Sequence, residues 1–322
     1  MADVLADFRS GTPRGLARAI SACESGRGAD LIHAIYGETG RALTIGLTGP
    51  PGVGKSTLCS AIVAHARKLG HTVGVISVDP SSPFSHGALL GDRIRLTEHF
   101  TDPDVFIRSM ASRGHLGGVS GATADAVSLM DAFGKDVVIV ETVGVGQSEI
   151  EIAEIADTTL VALQPGSGDS VQVLKAGILE VADVFVVNKS DHPMALQMQR
   201  EIRSMMEMLH FAGWVPELVA TQALEGKGVD KLWNAILAHD RYLKQTGEIA
   251  TKRRAAFAHR VRQLALGTLE RKIEEVLDAM PEPLDPYVAA ASVLATFGVK
   301  DGIAVLGNAR ARTDVRATVK GL

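Results

Sequence analysis

Eleven residues, Leu47 to Thr57, constrain this chain more than any other stretch: Leu-Thr-Gly-Pro-Pro-Gly-Val-Gly-Lys-Ser-Thr. Within them Gly49-x-x-x-x-Gly54-Lys55-Ser56 satisfies the phosphate-binding P-loop pattern. The flanks agree with it. An apolar run, Leu43 to Leu47, reads as a strand leading in, and a helical pattern from Ser56 to Leu69 leads out. Glycines let the backbone wrap so that its N–H groups face a phosphate, and a following helix N-terminus adds positive dipole. Gly49, Pro50, Pro51, Gly52, Val53 and Gly54 are the expected cradle, running on into Lys55, Ser56 and Thr57. Lys55 is expected to reach the β- and γ-phosphates, and the Ser56 hydroxyl to bind Mg²⁺.

A P-loop commits the surrounding chain to alternating strands and helices, and the rest of the sequence supplies them. Apolar runs fall at Leu43 to Leu47, Val73 to Val78, Val105 to Ile107, Val137 to Val140, Thr159 to Leu163, Val184 to Val187 and Glu217 to Ala220. Such runs read as strands buried on both faces, the pattern of a mostly parallel sheet covered by helices. Aromatic residues make up only 4% of the chain, which fits aliphatic sheet-and-helix packing. Three divisions follow: an N-terminal helical segment 1–42, an α/β domain 43–238 and a helical C-terminal extension 239–322. In the first, Leu16, Ile20 and Cys23 share a helix face, continued by Leu31, Ile35 and Tyr36.

Ligands of such sheets sit beyond the carboxyl ends of the strands, so the residues following each run are the candidates. Asp79 ends the second run, where an acid either serves Mg²⁺ or caps a turn before Pro80. Asp92 lies where a nucleotide-sensing loop is expected, although its composition equally suits a helix N-cap. The stretch Ile107 to Gly118 reads as a loop in which Arg108 or Arg113 either meets phosphate charge or is solvated. Glu141 closes the fourth run as the acid of a Walker B strand, and Gly144 stands where a backbone N–H can contact the γ-phosphate. Val145 follows, not a water-positioning glutamine, so hydrolysis is expected to be slow alone and accelerated by a partner.

The sixth run ends Asn188-Lys189-Ser190-Asp191, the guanine-reading signature Asn-Lys-x-Asp. A carboxylate can accept from guanine N1–H and the 2-amino group, and adenine would leave it unpaired. Thr221, Gln222 and Ala223 after the seventh run are expected to support the guanine O6 through the backbone. GTP and GDP with Mg²⁺ are therefore the expected cofactors.

Composition narrows the remaining choices. A formal net charge of -4 gives no support for bulk nucleic-acid binding. No apolar run approaches membrane-spanning length, so no membrane association and a cytoplasmic location are expected. The chain's two cysteines, Cys23 and Cys59, show no metal-ligand spacing. From His239 a long charged helical pattern begins; Lys252, Arg253 and Arg254 read as a solvated face or a site for acidic partners. An apolar stripe, Val261, Leu264, Leu269, Ile273, Val276 and Leu277, needs covering by the main domain or by a second copy.

Taken together these blocks carry a resemblance. The P-loop, Val78-Asp79-Pro80-Ser81-Ser82-Pro83, Gly91-Asp92-Arg93-Ile94, Arg113-Gly114-His115-Leu116-Gly117-Gly118, Glu141-Thr142-Val143-Gly144-Val145-Gly146-Gln147-Ser148-Glu149 and Asn188-Lys189-x-Asp191 resemble the MeaB/ArgK/MMAA group. That group comprises GTPase chaperones of adenosylcobalamin-dependent acyl-CoA mutases. The resemblance implies a P-loop GTPase fold with a helical C-terminal dimerisation arm, a homodimer, and a chaperone that gates adenosylcobalamin loading and protects or reactivates its mutase. The client would be methylmalonyl-CoA mutase or a related isobutyryl- or hydroxyisobutyryl-CoA mutase. It also implies Lys55, Asp92 and Glu141 as catalytic residues, Ser56, Asp79, Asp92 and Glu141 around the metal, and Asp169, Gln172 and Lys175 as switch contacts to the mutase. The alternative is a metallochaperone GTPase for nickel-enzyme maturation, a class that usually carries Cys/His clusters.

Overall fold

The computed structural model describes residues 2–80, 93–112, 121–142, 151–166, 179–209, 211, 213–280 and 285–299. By internal contacts the chain divides into two units, Met1–His259 and Arg260–Leu322.

The first unit is built on seven strands: β1 (Leu43–Thr48), β2 (Val73–Pro80), β3 (Val105–Ser112), β4 (Val137–Thr142), β5 (Thr158–Leu163), β6 (Val184–Val187) and β7 (Glu217–Ala220). They lie in the order β3-β2-β4-β1-β5-β6-β7, and each of the six pairings is parallel. All seven apolar runs are strands, because a strand covered on both faces needs apolar residues at successive positions. The largest difference from the expected boundaries is at the end of β3. Arg108 to Ser112 continue β3 instead of opening a loop, because their backbone pairs with Ile76 to Pro80 of β2.

Helices cover both faces. One core sets Ile45, Leu47, Val75, Ile139, Leu160 and Val186 against α4 (Lys55–Lys68) and α7 (Val229–Thr246). On the other face, Ile76, Val78, Val138 and Val140 meet α2 (Pro13–Glu24), α3 (Ala29–Ile35) and α5 (Gly121–Ala132). Further along that sheet, Val161, Leu163, Phe185 and Val187 pack on α6 (Ala195–Met208). The odd and even residues of one strand thus serve opposite layers. The N-terminal segment, which begins with α1 (Ala2–Arg9), is part of this packing. Thr12 caps α2 by accepting from the Gly15 N–H at 3.1 Å, and Pro13 occupies its first turn. Leu16, Ile20, Cys23, Leu31 and Ile35 are buried as the helical spacing requires. Tyr36 is exposed, because a 3₁₀ turn over Tyr36–Glu38 rotates it off the α3 face.

The root of α8 (Glu248–Asp278) is fixed to the end of the sheet where β1, β5 and β6 begin. Arg253 grips the Asp157 carboxylate with two hydrogen bonds of 3.1 and 3.0 Å and donates to the Gly40 carbonyl at 2.6 Å. Lys252 donates to the Asp157 carbonyl at 2.7 Å and to the Asp183 carboxylate at 2.9 Å. For Lys252 and Arg253 both expectations need correction, because they pair within the chain with acids that precede β5 and β6, whereas Arg254 is exposed. Asp131 of α5 completes the same corner, accepting from the backbone N–H groups of Gly40, Arg41 and Ala42.

The second unit contains the remainder of α8 and α9 (Pro286–Thr296). Asp285 caps α9, accepting from the N–H groups of Tyr287 and Val288. No residue of α8 is buried; Val261, Leu264, Leu269 and Leu277 of the apolar stripe are all exposed. Among the described residues, no helix is long and apolar enough to cross a membrane.

Candidate nucleotide site

The site forms where β1, β4, β5 and β6 end. β1 delivers the chain into Gly49, whose φ of +140° is unusual for an L side chain; an added Cβ would lie 2.1 Å from the Ala162 carbonyl oxygen on β5. The loop turns again at Gly52 (φ 79°) and Gly54 (φ 88°), which begins α4 in the left-handed conformation. A Cβ on Gly54 would meet the Asn188 carboxamide at 2.9 Å. Gly49 and Gly54 require glycine because the loop is pressed against its neighbours there, and Gly52 because of its positive φ.

Lys55 is buried, with its ammonium 2.6 Å from the Gly49 carbonyl and 3.0 Å from that of Pro50. Its charge is thereby held over the loop. The Ser56 hydroxyl donates to the Glu141 carboxylate at 2.6 Å, and Glu141 is only 2% exposed. β4 pairs with β1 so that Glu141 stands level with Leu47, which brings the Walker B acid alongside the first turn of α4. A hydroxyl and a buried carboxylate in contact are oxygen donors of the kind a hard divalent cation takes, so the residues present fit Mg²⁺. The charge of Glu141 is felt locally: burial, reinforced by Glu141, pushes the Cys59 thiol well above its ordinary pKa. Beside this pair the Thr142 hydroxyl donates to that of Thr48 at 3.1 Å, tying the ends of β4 and β1 together.

The Asn188–Asp191 turn is fastened to the P-loop. The Asn188 carboxamide N–H donates to the Val53 carbonyl at 2.9 Å. Its oxygen accepts from the Thr221 hydroxyl and from the Ala223 N–H, each at 3.1 Å. Lys189 is the one non-glycine residue with positive φ (55°) among those described, and its ammonium donates to the Gly52 carbonyl at 2.9 Å and to Gln164 at 2.6 Å. Asp191 is exposed at the end of this turn. The backbone N–H groups of Thr221, Gln222 and Ala223 are taken by Val187, Lys227 and Asn188. In this arrangement the three residues hold Asn188 and the turn in place.

Several expected residues lie elsewhere or beyond the description. Asp79 is placed by its backbone near the end of β2, opposite Ala111, and its side chain lies outside the described residues. So do Asp92, Gly144, Asp169, Gln172 and Lys175, and with them Arg113. Arg108 does not face the site: its guanidinium pairs with Glu24 and donates to the Ser21 hydroxyl at 3.1 Å, both on α2. Gln164, which follows β5, was not among the expected site residues, yet it touches Lys189. Its signal, a polar residue immediately after a buried strand, occurs after most strands of such a sheet.

Fold and site together define a P-loop guanine-nucleotide-binding protein. Comparison with known proteins narrows the class. The family model described as methylmalonyl Co-A mutase-associated GTPase MeaB matches residues 16–278. A protein named as a GTPase from Pyrococcus horikoshii is 44% identical over 306 residues, spanning 91% of this chain and 96% of that protein. The GTPase ArgK of Escherichia coli is 37% identical over 260 residues, 77% of this chain and 78% of its own length. Among solved structures, one described as an LAO/AO transport system kinase superposes with a TM-score of 0.67 at 27% identity, covering 92% of this chain and 97% of that one. The chain belongs to the MeaB family of GTPases, and the resemblance carried by its motifs extends through most of its length.

Proposed function

We propose that this GTPase is a chaperone that gates adenosylcobalamin loading and protects or reactivates a B12-dependent acyl-CoA mutase. Methylmalonyl-CoA mutase is the first client to test, with isobutyryl- and hydroxyisobutyryl-CoA mutases after it. The observation that carries this reading is the contact of Ser56 with Glu141 beside the P-loop, in a chain matched over residues 16–278 by a mutase-associated family.

The assigned roles follow from the chemistry of each group. Lys55 exchanges its carbonyl acceptors at Gly49 and Pro50 for β- and γ-phosphate oxygens. Ser56 and Glu141, with Asp79 and Asp92, would hold Mg²⁺, and Glu141 keeps the Ser56 hydroxyl oriented. When bound, Mg²⁺ neutralises charge that develops on the β- and γ-phosphates. Asp191 reads the guanine edge, and Asn188 and Lys189 brace it against the P-loop. Gly144 senses the γ-phosphate through its N–H, and Asp169, Gln172 and Lys175 carry nucleotide state to the mutase. With no glutamine at Val145 to position water, turnover is slow until the partner completes the site.

The domain plan is the helical segment 1–42, the GTPase domain 43–238 and the extension 239–322, in which residues 260–278 pair with a second copy. Exposure of Val261, Leu264, Leu269 and Leu277 along one helix supports a homodimer, since such a stripe is stabilised when covered. A cytoplasmic location accompanies the client. The nickel-delivery alternative gains no support from the cysteines: Cys23 and Cys59 are buried in cores on opposite faces of the sheet.

The test is GTP turnover measured alone and then with a purified mutase and adenosylcobalamin. A partner-dependent rise of at least tenfold supports the proposal; no rise with any cobalamin mutase removes it.

A further inference from the structure

Three separate segments converge on one ammonium group. Lys189 comes from the turn after β6, Gly52 from the P-loop, and Gln164 from the position directly after β5. Lys189 holds a positive φ of 55°, a conformation that L side chains adopt only when their surroundings enforce it. The enforcement is visible. The Asn188 N–H is bonded to Leu163, the Ser190 N–H to Thr221, and the Lys189 carbonyl accepts from His192. The backbone is fixed on both sides of Lys189, and the side chain leaves it in one direction, toward the P-loop.

A lysine stem has considerable rotamer freedom, and a backbone anchor alone does not remove it. The two oxygens at the far end do. Gly52 supplies a carbonyl at 2.9 Å, and Gln164 supplies its carboxamide oxygen at 2.6 Å, the shorter of the two. Gln164 is itself half-buried and directly follows Leu163, whose carbonyl receives the Asn188 N–H. The Gln164 acceptor and the backbone of the guanine-reading turn are thus carried by neighbouring residues of one strand end, and they move together.

We propose that Gln164 is a positioning residue for guanine-nucleotide binding: it locks the Lys189 ammonium against the P-loop, so that the lysine stem stands as one wall for a base whose edge Asp191 reads. The proposal deepens the guanine-nucleotide reading of this site and rests on it. Gln164 reaches the base through Lys189, which sets it apart from Asp191. Its effect does not depend on the 2-amino group of the base, and it shrinks when Lys189 is absent.

The experiment is a double-variant cycle on the full chain, with GDP and IDP affinities measured by titration calorimetry. Gln164→Ala is expected to raise both dissociation constants by the same factor, about three- to tenfold, the usual effect of losing one solvent-exposed hydrogen bond. Gln164→Glu keeps an acceptor for the ammonium and is expected within about twofold of the wild type. In the Lys189→Ala background, Gln164→Ala is expected to cause a clearly smaller loss than in the wild type, the sign of coupled residues. A Gln164→Ala protein that binds like the wild type overturns the proposal, as does a loss that persists undiminished without Lys189. These outcomes differ from failure of the underlying reading, which would appear as a wild-type protein that does not bind GDP. No mutase is involved, so the result is independent of the client.

Discussion

The Asn188 carboxamide donates to the Val53 carbonyl at 2.9 Å, so the Asn188–Asp191 turn and the P-loop are one connected object. The same side chain accepts from Thr221 and Ala223, which makes Asn188 the hub of three loops. A hydrogen-bonded hub buried at 3% exposure affects both stability and binding when it is removed.

Asn188→Ala is expected to strand the Ala223 N–H and the Val53 carbonyl and to destabilise the fold by about 2–4 kcal/mol. GDP affinity is expected to fall at least about tenfold, because the turn is no longer held in register with the P-loop. Urea unfolding and calorimetric titration check the two parts separately.

Gly49→Ala tests the closeness of the loop to β5. The new Cβ would fall 2.1 Å from the backbone oxygen of Ala162, which cannot rotate away, and φ is +140°. A loss of about 3 kcal/mol or more in unfolding free energy is expected, together with loss of phosphate binding. Gly134, with a positive φ but open space around it, is the control; the same change there is expected to cost about 1 kcal/mol.

Arg253→Ala is expected to cost about 2 kcal/mol, because it leaves the buried Asp157 carboxylate without its guanidinium. The double variant Arg253→Ala with Asp157→Asn is expected to lose less, since an unpaired amide is cheaper to bury than an unpaired charge. Thermal unfolding of the single and double variants decides the point. Nucleotide affinity is expected to be unchanged, because these residues sit at the opposite end of the strands from the P-loop.

Stability is expected to decline in mild acid through His239. Burial holds its imidazole below the ordinary pKa, outweighing the nearby Asp183, Asp157 and Asp240 carboxylates, while Lys252 adds to the depression. Nδ1 lies 2.9 Å from the Thr158 hydroxyl and Nε2 lies 3.3 Å from Asp183. A folded pKa below the unfolded one means that the unfolded chain binds the extra proton first. The contribution is therefore complete above about pH 6.5 and is lost as pH falls from there through the folded value. Urea midpoints between pH 8 and pH 5 should show this slope, and His239→Gln should flatten it.

The sheet was legible because a parallel strand covered on both faces announces itself as an unbroken apolar run, and Val137 to Val140 and Val184 to Val187 are such runs. The P-loop and the Asn188–Asp191 turn were legible because nucleotide chemistry demands fixed residue types at fixed spacing. What escaped was pairwise. Arg253 looks like any exposed helical arginine until the fold brings Asp157 to it, and Arg108 looks free until α2 presents Glu24. Arg108 to Ser112 also hid the end of β3, because their polar side chains interrupt the apolar run while their backbone continues the ladder. Gln164 carries no motif; only the positive φ of Lys189 and the reach of its side chain show what it meets.

In the proposed function, the site built on Ser56, Glu141 and Asn188 hydrolyses GTP in the service of a cobalamin mutase. The most direct measurement is single-turnover GTP hydrolysis by the isolated protein, repeated with a purified methylmalonyl-CoA mutase and adenosylcobalamin, for the wild type and Glu141→Ala. The account predicts a slow rate alone, a rise of at least about tenfold with the mutase, and loss of both in the variant. A fast rate without any partner, or a rate that no cobalamin mutase changes, would contradict it.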